Sequence, residues 1–192
     1  MSRLDPLHLL YALWLLWVVS WVLAAVWSAR QVGRLPLRRE VPSRVLVLAG
    51  AILMFSVGRR GLSWPEPESL RWLLVAVALG GLAFCWWARI HLGALWSAAV
   101  TKREGHRVID TGPYRLVRHP IYTGVILAGF GTALAEGNAI AIAGALVMTA
   151  GWYLKARLEE GWLRTELGEN DYDAYAARVP MLVPRLGRGT ER

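Results

Sequence analysis

The feature that most constrains this chain is its first apolar run, about Pro6–Ser28, which is long enough to cross a hydrocarbon core needing about 20 residues. Further apolar runs follow at about Ser43–Val57, Leu70–Trp96, Ile121–Ala135 and Ala139–Leu154. Arg3 precedes the first run, as in a signal peptide, but the run outlasts an h-region of about 7–15 residues and reads as a retained helix. Composition agrees. Hydrophobic residues are 55% of the chain and charged residues 19%, where a soluble domain carries about 25% charge. Many of the 11 Trp lie at the ends of apolar runs, where amphipathic rings sit at a bilayer interface. The expected class is an all-α integral membrane protein with about five transmembrane helices. Glu136-Gly137-Asn138 reads as a tight turn that makes the last two helices a C-terminal antiparallel hairpin. A polar tail follows it.

The net charge of +8, from 22 Lys+Arg against 14 Asp+Glu, raises nucleic acid as a partner. The basic residues instead cluster between the apolar runs. Arg30, Arg34, Arg38, Arg39 and Arg44 follow the first run with only Glu40 opposing. Lys102, Arg103, Arg107, Arg115 and Arg118 follow the third, and Lys155, Arg157, Arg164, Arg178, Arg185, Arg188 and Arg192 follow the fifth. The positive-inside rule puts these three segments in the cytoplasm, with the N-terminus outside and the C-terminus inside. Membrane lipids, not nucleic acid, are the expected surroundings. The polar stretches Ser97–Pro120 and Lys155–Arg192 then share the cytoplasmic face, so any chemistry belongs there. The chain divides accordingly into 1–96, three helices with their loops, and 97–192, which holds the polar segments. One cysteine, Cys85, allows no intrachain disulfide or cysteine-based metal site, and no metal is expected. Gly80-Gly81 is a possible close-packing point between helices.

Two segments are dense enough in polar groups to hold a site. In Thr111–Gly124, Gly112-Pro113 suits a tight turn, and Arg118-His119 stand just before Pro120 at a helix start. A helix N-terminus favours anions, so Arg118, His119 and the backbone N–H groups there suit a carboxylate, with Tyr122 about one turn further on. In Lys155–Glu160, Lys155 and Glu159 share a helix face. Each segment alone also reads as something plainer: a basic anchor at lipid headgroups, or a solvated helical face. The hairpin brings His119 and Glu159 back to the same depth, a cation facing an anion.

With these residues in place, the sequence resembles the isoprenylcysteine carboxyl methyltransferase family and the related membrane phospholipid methyltransferases. The resemblance runs over roughly His106 to Pro184. It is carried by Gly112-Pro113-Tyr114, Arg118-His119-Pro120-Ile121-Tyr122, Glu159-Glu160, then Leu163, Gly168, Tyr172, Tyr175 and Arg178-Val179-Pro180. It implies S-adenosylmethionine as cofactor and a lipophilic or lipidated acceptor. It also implies cofactor contacts from His106, Arg107, Val108, Ile109, Tyr114, His119, Pro120, Ile121, Tyr122 and Glu159, with Glu160 beside it. The family places a substrate-directing arginine one turn before that glutamate. Here Lys155 holds the position and Arg157 follows two residues on. Arg118, Lys155 and Arg157 are thus expected to orient the substrate, which leaves proton transfer to His119 or His106. Two other readings stay open: an NADPH-dependent membrane reductase of the sterol type, and a membrane protein without catalytic function.

Overall fold

The chain begins its helical course at Asp5, whose carboxylate accepts the Leu7 N–H at 2.8 Å, with Pro6 in the first turn. The computed structural model describes residues 5–27, 31–56, 62–93, 96, 101–103, 109–167 and 169–185. Its helices are α1 (Pro6–Ala24), α2 (Leu37–Phe55), α3 (Glu68–Leu92), α4 (Pro120–Ala135), α5 (Ala139–Leu167) and α6 (Glu169–Arg178). Strands β1 (Gln31–Arg34) and β2 (Thr101–Arg103) pair antiparallel, and a 3-10 turn covers Gly112–Arg115. The small two-stranded ladder is the one departure, among the described residues, from the all-helical expectation. Three helices are long and apolar enough to cross a membrane: α1, α3 and Ala139–Thr165 of α5. α4 is apolar but shorter.

Two helices overrun the apolar segments that announce them. α2 starts at Leu37, not near Ser43, because its charged first turns are accommodated. Glu40 is fully buried and takes Arg44 as an i,i+4 partner at 2.7 Å. α5 continues from Leu154 to Leu167 through good helix formers, and Lys155, Ala156 and Glu160 are all buried. Hydropathy ends both spans early because it reads buried charge as loop.

Helix α2 lies along α5, and α3 along α4, each through glycines. A β-carbon on Gly50 would stand 2.3 Å from the Met148 amide, and one on Gly81 2.5 Å from the Gly124 carbonyl. Backbones this close leave room for hydrogen alone, which is how small residues join membrane helices. Gly80, by contrast, faces open space. Trp14, Met54, Val75, Ala78, Leu82 and Met148 fill the space between the pairs. Leu16, Leu23, Leu48 and Leu73 cover the outer faces.

Alternate connections gather at opposite ends. The β1–β2 ladder ties the segment after α1 to the segment after α3. At the other end the Trp64 amide donates to Gly137 O at 2.8 Å and the Ala139 amide to Leu62 O at 3.0 Å. Gly137 makes the α4–α5 turn with φ +56, a backbone conformation that suits glycine. Arg89 closes α1 onto α3. It is fully buried, donates to the carbonyls of Ala24, Trp27 and Gly93, and lies over the Trp27 and Trp96 rings.

Candidate active site

The polar groups converge where the start of α4 meets the middle of α5. Pro120 opens α4 with its fixed φ and no N–H to lose. That sets Arg118 and His119 just ahead of the helix and Tyr122 in its first turn. On α5, Trp152, Lys155 and Glu159 recur at helical spacing, so they share the face turned toward α4.

His119 and Tyr122 stack with ring centroids 5.3 Å apart and planes 5° from parallel. Tyr122 stacks in turn on Trp152 at 4.7 Å. The Lys155 ammonium lies over the same two rings, 5.5 Å from Tyr122 and 5.4 Å from Trp152, within cation–π range. The Tyr122 hydroxyl donates to Glu159 Oε1 at 2.5 Å. His119 Nδ1 is 3.5 Å from Glu159 Oε2, and His119 Nε2 is 3.4 Å from Glu160 Oε1. The second contact lacks hydrogen-bond alignment and leaves Nε2 buried without a bonded partner. Burial alone would push the His119 imidazole down. The Glu159 and Glu160 carboxylates together outweigh burial and hold it above its ordinary value.

One residue along α5, Glu160 faces the other way. Arg118 Nε and Nη2 both reach Glu160 Oε1 at 2.7 Å, and Nη1 donates to the carbonyls of Ala176 and Val179. The tail then folds over the start of α4. The Arg118 amide donates to Pro180 O at 2.9 Å, the His119 amide to Met181 O at 3.1 Å, and the Thr123 hydroxyl to Leu182 O at 2.7 Å. The Tyr175 hydroxyl donates to Tyr114 O at 2.7 Å, which fixes α6 to the 3-10 turn. Burial is the main influence on the Tyr175 phenol and pushes it up, so it stays a donor.

The sequence candidates therefore fall into five groups. His119, Tyr122, Lys155 and Glu159 meet in one cluster. Arg118 and Glu160 pair, and the backbone N–H groups of Arg118 and His119, read from sequence as open to a carboxylate, are taken by the tail. Tyr114 and Pro120 are buried beside the cluster, with Ile109 and Ile121 half-buried, while Arg157 is exposed on the far side of α5. His106, Arg107 and Val108 lie outside the described residues. Sequence reasoning missed Trp152, whose signal was its place one turn before Lys155, and Glu40, the lone acid among five arginines. No group of three or more His, Cys, Asp or Glu is placed to hold a metal ion among the described residues.

Residues 73–163, from α3 through Glu159 and Glu160, match the family model of the isoprenylcysteine carboxyl methyltransferases. Over this region, a little under half of the chain, the protein is similar to that family. Its relatives in the family's neighbourhood are diverse. Protein-S-isoprenylcysteine O-methyltransferase B of Arabidopsis thaliana is 35% identical over 86 residues, covering 44% of this chain and 43% of the relative. Methanethiol S-methyltransferase 2 of Bradyrhizobium diazoefficiens is 42% identical over 74 residues, 38% of this chain and 27% of the relative. The cobalt-zinc-cadmium resistance protein CzcN of Cupriavidus metallidurans is 28% identical over 144 residues, 74% of this chain and 61% of the relative. The chain thus spans between a quarter and three fifths of the length of these relatives.

Proposed function

We propose that this protein is a membrane methyltransferase that uses S-adenosylmethionine and acts on a lipophilic acceptor at the cytoplasmic face. One observation carries the reading: Tyr122 and Glu159 are hydrogen-bonded within a stack of rings inside the region that matches the family. The residues suit the cofactor chemically. A zwitterion with a sulfonium and an adenine asks for a carboxylate, a cation and aromatic faces, and Glu159, His119, Tyr122 and Trp152 supply them. His119 Nε2 and Trp152 Nε1, both buried without a bonded partner, are polar atoms left for a ligand.

When bound, S-adenosylmethionine supplies a methyl group whose bond to sulfur breaks as its bond to the acceptor forms, with S-adenosylhomocysteine as the neutral leaving group. The protein's part is position and field. Glu159 and the rings hold the positive end of the cofactor. Lys155, over those rings, orients the acceptor. His119 is biased toward its protonated form by two carboxylates, so it is assigned to position and field and not to proton removal. The site therefore favours an acceptor that arrives already ionised. The relatives' names include an isoprenylated cysteine, which offers a carboxylate, and methanethiol, which offers sulfur. A carboxylate needs no deprotonation, whereas a thiol must give its proton to solvent or to a nearby carboxylate. The exposed apolar faces of the helices suit entry of an acceptor from the bilayer. The arginines at the site's end of the bundle suit a cytoplasmic orientation.

The deciding experiment is thermal unfolding of the detergent-purified protein with S-adenosylhomocysteine, run beside NADPH. A ligand that binds only the folded state raises the midpoint. A shift with S-adenosylhomocysteine alone supports the proposal. A shift with NADPH alone replaces it with the reductase reading, and no shift with either removes the cofactor assignment. Methyl transfer to a prenylated N-acylcysteine and to a long-chain alkanethiol then separates carboxylate from thiol acceptors.

A further inference from the structure

Glu40 has no place in any motif of the C-terminal half, yet it is 0% exposed in a helix whose next turn carries an arginine. A buried carboxylate is costly unless it is compensated. Arg44 compensates it only from the edge, since that guanidinium is 44% exposed. The packing of α2 on α5 indicates what else faces it. A β-carbon on Gly151 would stand 2.9 Å from Ser43 O and 2.7 Å from the Val47 amide. Going up one turn of α5 from Gly151 leads to Lys155, and going back one turn of α2 from Ser43 leads to Glu40. The helices run antiparallel, so these two residues share a level. Lys155 is itself buried, 8% exposed, and its other acidic neighbour is Glu159, which is already bonded to Tyr122.

We propose that Glu40 is a positioning residue of the methyl-transfer site, the buried counter-charge that holds the Lys155 ammonium over the Tyr122 and Trp152 rings. The inference rests on the methyltransferase reading for the purpose of that placement, though not for the pairing itself. From α2 the ammonium is faced by Glu40, with Arg44 beyond it. From α4 it is faced by Tyr122, with His119 stacked behind. Along α5 it is faced by Trp152 and Glu159. Glu40 also reaches the Tyr122 phenol electrostatically, as a residue within the same cluster must. The N-terminal half of the chain thereby contributes a side chain to a site that is otherwise built from residues 109–185. A lysine so held is short and fixed compared with the arginine the family places there, which favours a compact acceptor group close to the rings.

The test is a pair of cycles on the full-length protein in detergent, using Glu40→Gln, Lys155→Met, the double variant, and the conservative Glu40→Asp. The first readout is the unfolding midpoint without ligand. Each single variant is expected to lower it, and the double variant is expected to lie well above the sum of the two losses. Additive losses would overturn the pairing. The second readout is methyl transfer to the prenylated N-acylcysteine and the alkanethiol, with S-adenosylhomocysteine affinity measured alongside. Glu40→Gln is expected to raise the acceptor KM about tenfold with S-adenosylhomocysteine affinity within about twofold, Glu40→Asp to recover most of that loss, and Glu40→Gln to add nothing once Lys155 is Met. An unchanged KM, or equal loss of cofactor affinity, would overturn the positioning role. Failure of the wild type to bind S-adenosylhomocysteine would strike the methyltransferase reading and the positioning role, and the midpoint cycle would still decide whether the two charges are paired.

Discussion

Glu160 faces the tail, and Glu159, its neighbour on α5, faces the rings. Around Glu160 the polar groups are saturated. Arg118 gives two contacts to the carboxylate and its third nitrogen to two carbonyls of the tail, and the flanking amides of Arg118 and His119 close on Pro180 and Met181. Around Glu159 the contacts are fewer and looser. One phenol bonds it, an imidazole nitrogen stands at 3.5 Å, and the indole N–H of Trp152 in the ring stack has no bonded partner. A region whose donors and acceptors all find one another is scaffold. A region that keeps polar atoms in reserve, sheltered from water, is prepared for a ligand.

The largest effect should come from breaking the saturated region. Arg118→Ala leaves Glu160 buried without its partner and frees the tail, and removing one member of a buried pair costs about 3–5 kcal/mol. The unfolding midpoint in detergent should fall steeply. Arg118→Lys should recover little, because one ammonium cannot serve a carboxylate and two carbonyls as a planar guanidinium does. A midpoint close to wild type would mean that the tail is held by other contacts and that the contrast between the two regions is misdrawn.

Glu159→Ala should affect binding more than folding. Loss of the carboxylate is expected to weaken S-adenosylhomocysteine by about tenfold or more, roughly 1.4 kcal/mol, with a smaller fall in midpoint than Arg118→Ala gives. Calorimetric titration measures the first and thermal unfolding the second. Unchanged affinity would move the cofactor away from the rings.

The same contrast accounts for what could be read in the sequence. The order of Arg118-His119-Pro120, Tyr122 and Glu159-Glu160 was legible because residue types at helix ends carry their chemistry with them. The tight turn at Gly137 was legible from its neighbours. The division of labour between Glu159 and Glu160 was not, since adjacent residues on a helix point about 100° apart and sequence does not say what each meets. Arg118 resembled a substrate contact for the same reason, because nothing local announces that the tail returns to occupy it. The extensions of α2 and α5 were hidden by buried charges that hydropathy scores as loop. The pairing of α2 with α5 depends on Gly50, Gly144 and Gly151, which belong to no recognisable motif and matter only because they face each other.

His119 lies on the border of the two regions, and its titration reports on both. Glu159 and Glu160 together hold it above its ordinary value of about 6.5, against the effect of burial. A group raised on folding stabilises the protein fully below its unfolded value, and that stabilisation is lost as pH rises through the folded value. The unfolding midpoint of the wild type should therefore decline as pH climbs above about 6.5. His119→Gln should flatten that decline, and Glu159→Ala should reduce it. A decline that persists in His119→Gln belongs to another group and would detach His119 from its carboxylates.

The smallest expected effect falls outside both regions. Arg157 was a sequence candidate for orienting the substrate, two residues from Lys155, but two residues along a helix is a turn of about 200°, and its side chain is exposed. Arg157→Ala should change stability by no more than about 0.5 kcal/mol, the ordinary range for a surface position, and leave transfer to either acceptor unaltered. Lys155→Ala should slow transfer while S-adenosylhomocysteine affinity stays near wild type. The pair discriminates sharply because the two residues are both basic and nearly adjacent. A loss of transfer in Arg157→Ala with normal kinetics in Lys155→Ala would place the acceptor on the outer side of α5, away from the rings, and the looser of the two regions would then be scaffold as well.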